Sequence, residues 1–278
     1  MPTGTILAGT PNGVQRGTYL IDIASGAVTQ IAQAGEPLSV AWQGGYSAAR
    51  GSVIGTRAYP LPNRVRAIEL ASGDTTTLFE APSIDDLTGA YAVSPSGSRL
   101  AIQTQHWPTG EITLSLIDLT TGSRTPIRDL VGGIDELPLR TIDWTPDESA
   151  LFVTTDVYPD RSEVVRIDLG TQEFRIVSPT TVVDGDLDVS PDGRVVAHKD
   201  GSGRIILRGP DGVPLPQYPE IPGLVMRPTF SPDGKFLAYQ ELSIESGEGD
   251  IILMRLSDGK RWTLKIQADV RPWLSDWF

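Results

Sequence analysis

A short phrase recurs four times along the chain at nearly equal intervals, and it limits the possible folds more than any other feature. Each copy begins with Ser or Thr followed by Pro, and most end in Gly: Ser94–Gly97, Thr145–Glu148, Ser190–Gly193 and Ser231–Gly234. The starting positions 94, 145, 190 and 231 are 51, 45 and 41 residues apart. One four-stranded propeller blade occupies roughly 40–45 residues. The spacing therefore predicts a β-propeller.

A second repeated segment, a strand of the form Ile-Asp-Leu followed by a turn, gives the number of blades. It occurs six times with varying fidelity, and its turn positions are 26, 73, 122, 172, 212 and 259. In all but the fifth copy a charged residue lies between two apolar ones, as in a strand with one buried face. Gly at the turn permits the positive φ of a tight hairpin, and Gln172 replaces it in the fourth copy. Six copies predict six blades.

The two ends of the chain complement each other. Only three strands precede the second blade, and the C-terminal segment Arg271–Asp276 matches Arg227–Pro232, which leads the last blade. The last strand is therefore expected to join the first three, which closes the ring and leaves no open sheet edge. Trp273 and Trp277 are predicted to serve this closure.

These patterns predict an all-β chain forming one six-bladed β-propeller over residues 1–278, with four-stranded antiparallel blades. The predicted blades cover residues 1–34 with 269–278, then 39–81, 90–130, 141–179, 186–219 and 227–267.

Composition excludes several classes of function. The formal net charge of −12 weighs against nucleic acid, because a phosphate backbone is bound by clustered Lys and Arg. The absence of Cys excludes disulfides, thiolate metal sites and Cys nucleophiles. No apolar run approaches the ~18 residues of a membrane-spanning helix. We expect a soluble, acidic monomer without membrane insertion.

Counting back from the Ser of the repeated phrase separates each innermost strand into two faces. One face is apolar and includes Trp144, Val189, Phe230 and, in the aligned C-terminal segment, Leu274. The other face is polar on one side of the ring, with Asp143, Asp186, Asp188, Arg227 and Arg271. Since innermost strands border the central channel, we predict that these five residues lie at its mouth and bind a ligand. The alternative is ion pairing between blades, for example between Asp186 and Arg227.

A metal site is a further hypothesis. Asp184, Asp186 and Asp188 alternate along one strand, and three carboxylates on one face suit Ca²⁺, which prefers oxygen ligands. The spacing is not that of an EF-hand loop. No cofactor other than Ca²⁺ is expected.

Catalytic residues are not predicted. The two histidines are His106, in a predicted loop, and His198, at the end of an apolar strand where a packed core residue is expected. Neither has a Ser partner in a recognisable nucleophile context.

The segment Phe230–Tyr239 and its twin Val189–His198 resemble the WD40-like SPDG repeats of the TolB C-terminal domain family, whose blades carry Ser-Pro-Asp-Gly before a short apolar strand. The resemblance extends over essentially the whole chain, but Trp42–Gly45 replaces the phrase in the second blade. It implies a six-bladed propeller and an extracytoplasmic setting, periplasmic or secreted, if an export signal has been removed. Without such a signal the expected setting is cytoplasmic.

Three functions remain open at this stage. The first is a non-catalytic scaffold that binds another protein or a peptide, with the acidic surface steering a basic partner. The second is a metal-dependent propeller hydrolase, similar to lactonases, that uses channel carboxylates. The third is the gating or sensor propeller of a larger protein.

Overall fold

The structure is a computed structural model that describes residues 2–10, 17–33, 45–56, 64–83, 86–106, 108–127, 139–157, 161–179, 186–200, 202–243, 249–267 and 273–278. It is all β, as the repeats predict, and consists of six antiparallel sheets arranged as blades. No helix within these ranges is long and apolar enough to cross a membrane.

Twenty-three strands are assigned in the described residues, and most hairpins between them are short. The first eleven are β1 (Thr5–Thr10), β2 (Gly17–Asp22), β3 (Val28–Gln33), β4 (Gly45–Ser47), β5 (Ser52–Thr56), β6 (Arg64–Glu69), β7 (Thr75–Glu80), β8 (Asp86–Val93), β9 (Arg99–His106), β10 (Glu111–Asp118) and β11 (Arg124–Pro126). The others are β12 (Leu139–Trp144), β13 (Ala150–Val157), β14 (Arg161–Asp168), β15 (Phe174–Pro179), β16 (Leu187–Val189), β17 (Val196–Lys199), β18 (Ile205–Arg208), β19 (Val225–Phe230), β20 (Phe236–Leu242), β21 (Gly249–Arg255), β22 (Arg261–Thr263) and β23 (Trp273–Trp277).

The blades follow chain order, with one exception at the closure. Blade 1 has the strand order β23-β1-β2-β3, so the C-terminal strand pairs with the N-terminal one, as predicted. Blade 2 holds β4–β7, blade 3 β8–β11, blade 4 β12–β15 and blade 6 β19–β22. Backbone hydrogen bonds between Thr5 and Phe278, at 2.7 and 2.9 Å, extend the closure beyond the end of β23.

Blade 5 departs from the four-stranded pattern, because its regular sheet contains β16, β17 and β18. The outer edge of β18 is covered instead by the segment Pro214–Ile221, through the bridges Arg208↔Pro214 and Ile205↔Ile221. Prolines in this segment lack the amide hydrogen that a regular strand would offer to further partners. The edge is therefore protected without a fourth strand.

The hydrophobic core is divided among the six contacts between neighbouring blades. Each buried cluster combines residues from two adjacent blades; the contact between blades 6 and 1, for example, contains Ile251, Ile6 and Trp277. Strands with both faces buried explain the continuous apolar runs in β9 and β13. Because each blade packs on two neighbours, the ring depends on closure between blades 6 and 1.

The turns carry the backbone conformations that the repeats require. Gln172 has φ 60°, the left-handed conformation that Gly122 adopts in the preceding blade at φ 73°. Glu148 likewise has φ 57° and bonds blade 4 to blade 3, because its carboxylate accepts the Ser96 amide at 2.6 Å and the Arg99 guanidinium at 2.7 Å. The repeated phrase thus contributes contacts between blades as well as turns.

Replacing Trp277 tests the closure. The indole is 3% exposed, packs between blades 6 and 1 and donates to the Thr3 carbonyl at 3.2 Å. Trp277→Ala should lower the free energy of unfolding by ~3–5 kcal/mol, the usual cost of removing a buried aromatic side chain. Trp262→Ala, on the outer strand β22, is the matched control and should cost clearly less. Urea denaturation measures both, and equal losses would contradict the role of Trp277.

Candidate functional site

A cavity of about 240 Å³ lies where the innermost strands meet. Residues on or next to β4, β8, β12, β16, β19 and β23 line it, so each blade contributes. Pockets for drug-sized ligands usually hold ~300–1,000 Å³. This cavity is therefore sized for one inserted side chain or a small ion.

One equivalent position in all six innermost strands contributes a residue to the cavity wall. This position lies two residues before the turn that leads into the next strand. In β23 it lies two residues before Phe278. The six residues at this position all line the cavity, and we call them the axial ring: Asp276, Gly45, Ala92, Asp143, Asp188 and Thr229, from blade 1 to blade 6. Acidic side chains thus occupy blades 1, 4 and 5, while blades 2 and 3 carry the smallest residues.

Each aspartate of the axial ring joins its blade to the next. One carboxylate oxygen accepts the backbone amide hydrogen of the residue before the turn in the following blade. These bonds join Asp143 to Val189 at 2.7 Å, Asp188 to Phe230 at 2.6 Å and Asp276 to Tyr46 at 2.6 Å. Hydrogen bonds from amides to charged acceptors are short and comparatively strong. The aspartates are therefore structural links as well as cavity walls.

The second carboxylate oxygens differ among the three. Those of Asp143 and Asp276 accept the amide hydrogen of the next residue in their own strand, at 2.8 and 2.7 Å. Asp188 instead lies beside the Asp143 carboxyl group, and burial and this neighbouring negative charge raise the pKa of Asp188. We call Asp143 and Asp188 the acid pair.

Burial makes the charged forms of these carboxyl groups unfavourable. It raises the pKa of Asp143 to about 6 and that of Asp276 to about 6, although backbone amides favour ionisation in both. Burial and the neighbouring Asp143 charge raise the pKa of Asp188 well above the usual range. Like charges concentrated around one cavity destabilise a fold, and strongly shifted pKa values are typical of functional sites.

Arg227 has the most unusual backbone at the cavity. It has φ 55° inside β19, a conformation that costs a non-glycine residue ~1–2 kcal/mol, and Pro228 follows it. Its amide donates to the Asp186 carboxylate at 2.9 Å. Its guanidinium donates to the Leu274 carbonyl at 3.0 Å and lies 4.9 Å from the Trp273 ring centroid. Strain of this kind often occurs at binding sites.

Ser47 adds an unsatisfied polar group to the cavity wall. The residue is 7% exposed, and its Oγ has no hydrogen-bond partner among the described residues. It lies two positions after Gly45 in β4, so both residues belong to the strand face that lines the cavity. Buried hydroxyl groups are normally paired, and this unpaired oxygen is enclosed by the protein rather than open to the cavity.

The structure brings together four of the five predicted ligand residues. Asp143, Asp186, Asp188 and Arg227 all line the cavity, while Arg271 lies outside the described residues. Their role in binding stays a prediction. Asp186 connects its blade to the next by accepting the Arg227 backbone amide hydrogen. The alternative prediction, an ion pair between Asp186 and Arg227, thus corresponds here to a hydrogen bond with the main chain of Arg227.

The structure corrects the predicted alignment in two blades. In blade 2 the innermost described strand is Gly45–Ser47, so the turn comes after Ser47 and not at Trp42–Gly45, where the phrase was expected; residues 34–44 lie outside the described part. At the C-terminus Trp277, not Leu274, is equivalent to Phe230, a difference of three residues. Both segments lack a Ser-Pro-Asp-Gly turn to mark the position. The error concealed Asp276, which the dipeptide Asp276-Trp277, matching Asp143-Trp144, would have revealed.

The predicted Ca²⁺ site is only partly described, because Asp184 lies outside the described residues. Within the described ranges no group of three or more His, Asp or Glu side chains is arranged to hold a metal ion. Ca²⁺ binding through Asp184, Asp186 and Asp188 therefore stays a prediction.

The two histidines lie away from the cavity. His198 in β17 is fully buried, and burial lowers its pKa to about 4, so it is neutral at physiological pH. His106 lies at the end of β9, where its Nδ1 is 2.7 Å from an Asp86 carboxylate oxygen.

Asp188→Asn tests the cost of the acid pair. Because the folded-state pKa of Asp188 is raised, the folded protein binds more protons than the unfolded chain, and wild-type stability falls as pH rises above about 4. Asn can still accept the Phe230 amide and donate to Asp143. The variant should be ~1–3 kcal/mol more stable at pH 8, and the difference should shrink towards pH 4.

Asp258→Asn is the control with the opposite sign, measured by urea denaturation in the same buffers. A hydrogen bond from Arg255 lowers the pKa of Asp258 to about 2, so its charge stabilises the fold above the unfolded pKa. This variant should be less stable near pH 7, and the loss should disappear as pH falls through 2. An Asp188→Asn protein that is less stable at pH 8 would contradict the raised pKa.

Ca²⁺ dependence of the melting temperature tests the metal hypothesis. Bound Ca²⁺ would relieve repulsion among Asp184, Asp186 and Asp188 and stabilise the folded state by mass action. Melting curves with excess Ca²⁺ should therefore shift upwards by several degrees relative to curves with a chelator, and Asp184→Asn should reduce the shift. Curves that respond to neither Ca²⁺ nor chelator would remove the hypothesis.

Comparisons with known proteins agree with the fold. No family model matches the chain, and no curated protein sequence matches it. Among solved structures, TolB from Acinetobacter baumannii is similar with a TM-score of 0.73 and 16% identity, over 99% of this chain and 66% of that one. This chain thus spans just under two thirds of that TolB.

Two further structures share the architecture. A protein described as TolB from Agrobacterium tumefaciens has a TM-score of 0.67 and 14% identity, over 95% of this chain and 90% of that one. An oligogalacturonate lyase in complex with manganese has a TM-score of 0.54 and 14% identity, over 87% and 83%. At these identities the similarity concerns the fold alone, so the chain has the six-bladed propeller fold found in TolB proteins.

Proposed function

We propose that this protein is a non-catalytic binding module that receives a basic side chain of a partner protein or peptide in its central cavity. The observation that supports this most directly is the placement of three half-buried aspartates, together with Asp186, around a cavity of about 240 Å³. A cationic group would offset their mutual repulsion and the cost of burial.

The geometry favours binding over hydrolysis. The three aspartates of the axial ring already use carboxylate oxygens to hold neighbouring blades, so they are fixed in place and cannot move through a reaction cycle without loosening the ring. A rigid, preorganised acidic cavity binds a cation with little loss of conformational freedom.

The size and composition of the wall suit an arginine or lysine side chain. The acidic members are on blades 1, 4 and 5, whereas Ile54, Tyr91 and Ala92 contribute an apolar surface on blades 2 and 3. A long basic side chain combines an apolar stem with a charged end, so it complements both parts of the wall. The overall charge of −12 also speeds the encounter with a basic partner.

Peptide display tests the proposal. The immobilised protein is used at pH 8 to select from a random peptide library, and enriched peptides are synthesised for anisotropy titrations. Basic residues should be enriched, and Asp188→Asn and Asp186→Asn should weaken binding by about tenfold or more, as expected for the loss of one buried charge contact.

Glu80→Gln removes one charge from the outer strand β7 and is the matched control, which should bind like the wild type. Selection without enrichment of basic residues would contradict the proposal. Peptides that bind the aspartate variants and the wild type equally would contradict it as well.

A further inference from the structure

Strand β19 is irregular where it passes the cavity. Its register with β20 shifts between Met226 and Thr229, so that Arg227 and Pro228 together face one residue of β20. This is a β-bulge, a feature that redirects a side chain and is common beside functional sites. Arg227 has its φ of 55° here, a conformation that Gly adopts without strain. Because an arginine strains this backbone, its side chain rather than the turn itself needs an explanation.

The Arg227 side chain extends to the neighbouring blade. Its Nη1 donates to the Leu274 carbonyl at 3.0 Å, and its guanidinium carbon lies over the Trp273 ring, 4.9 Å from the ring centroid. Trp273 and Leu274 are the first two residues of β23, in blade 1. A guanidinium suits this place, because it contacts an aromatic face while its N–H groups donate in their own plane. We call the Trp273 ring and the Leu274 carbonyl the guanidinium subsite.

The guanidinium subsite adjoins the acidic cavity. Arg227 and Leu274 both line the cavity wall, together with Asp186 and the aspartates of the axial ring. Among the described residues of this wall, Arg227 is the one with a positively charged side chain, and a guanidinium stays charged at every physiological pH. Arg227 therefore supplies from within the protein part of the compensation that a basic ligand would bring to the aspartates.

A basic ligand and Arg227 compete for this place. A second cation at the cavity is repelled by the Arg227 guanidinium, since like charges at short distance are unfavourable. The contacts with the Leu274 carbonyl and the Trp273 ring are, however, contacts that an arginine of the ligand can make equally well. Displacement exchanges one guanidinium for another, and the released Arg227 side chain regains rotamer freedom.

We propose that the guanidinium subsite binds an arginine side chain of the partner, and that Arg227 occupies the subsite in the free protein and is displaced on binding. This inference rests on the proposed function and names its ligand as arginine rather than lysine. A lysine ammonium is a compact charge that can pair with the carboxylates but does not fill a planar subsite. A neutral side chain that displaced Arg227 would leave the aspartates without a cation, so displacement also excludes neutral ligands.

NMR of protein labelled with ¹³C in its arginines tests occupancy and displacement directly. In the free protein the Cδ–Hδ signals of Arg227, assigned by their absence from Arg227→Met, should be shifted upfield by the Trp273 ring. Argininamide at pH 8 should move them to the position of an exposed arginine. Free-protein signals without the ring shift would overturn the occupancy, and signals that stay in place when argininamide binds would overturn the displacement.

Calorimetry with argininamide at pH 8 measures the effect on affinity. Arg227→Met should bind about tenfold more tightly than the wild type, because the resident cation is gone. Arg227→Gly, which also relieves the strained φ, repeats the test if the methionine variant fails to fold. Arg255→Met is the matched control, since Arg255 lies 5.6 Å from the Trp262 ring in the outer half of the same blade, and it should bind like the wild type. Unchanged or weaker binding by the folded Arg227 variants would overturn the displacement.

Lysinamide, titrated in the same way, tests the subsite and separates the two proposals. The wild type should prefer argininamide by about fivefold or more, and Trp273→Leu should lose this preference. Equal affinity of the wild type for both ligands would overturn the guanidinium subsite and leave the proposed function intact, even if Trp273→Leu fails to fold. If neither ligand nor any basic peptide binds the wild type or Arg227→Met, the proposed function and the subsite are overturned together.

Discussion

The hydrogen bond that a backbone amide of the next blade donates to an axial aspartate is the interaction on which the centre of this propeller depends. It occurs between blades 4 and 5, 5 and 6, and 1 and 2. Hydrophobic clusters also hold neighbouring blades together. Hydrophobic contacts are non-directional, however, and do not determine the position of one innermost strand relative to the next. Hydrogen bonds from backbone amides to carboxylates are directional and do fix the positions of these strands. They also concentrate negative charge around one cavity.

That cost connects stability with function. A Ser or Asn at each axial position would also accept an amide hydrogen without adding charge. The protein instead retains carboxyl groups whose ionisation is unfavourable in the folded state. Departures from the most stable solution are commonly found where a protein binds something, because the binding partner supplies the missing interactions.

The sequence predicts this fold well because its signals are local. A turn that requires a residue with positive φ needs Gly, Asn or a tolerated substitute such as Gln172, and six such turns indicate six blades. The same repeats locate the residues of the site only in the blades that contain the repeated phrase. Asp143, Asp186 and Asp188 could be placed by counting from an intact Ser-Pro-Asp-Gly phrase or a close variant, whereas the strands that hold Asp276 and Ser47 lack the phrase. In the C-terminal strand the alignment was also wrong by three residues, and an odd-numbered shift in a strand exchanges its faces. The conformation of Arg227 and the inter-blade bonds, which join residues 41 to 230 positions apart, carry no local signal.

The unequal composition of the axial ring gives the cavity a polarity across the disk. Gly45 on blade 2 leaves room across the ring from Asp188 on blade 5, and Ala92 on blade 3 lies across from Thr229 on blade 6. A ligand with one charged end can therefore form favourable contacts with the cavity wall in one orientation only. The backbone thus has approximate sixfold symmetry, whereas the cavity wall does not. A partner bound there would be held in one rotational orientation relative to the blades, even if every other contact were loose.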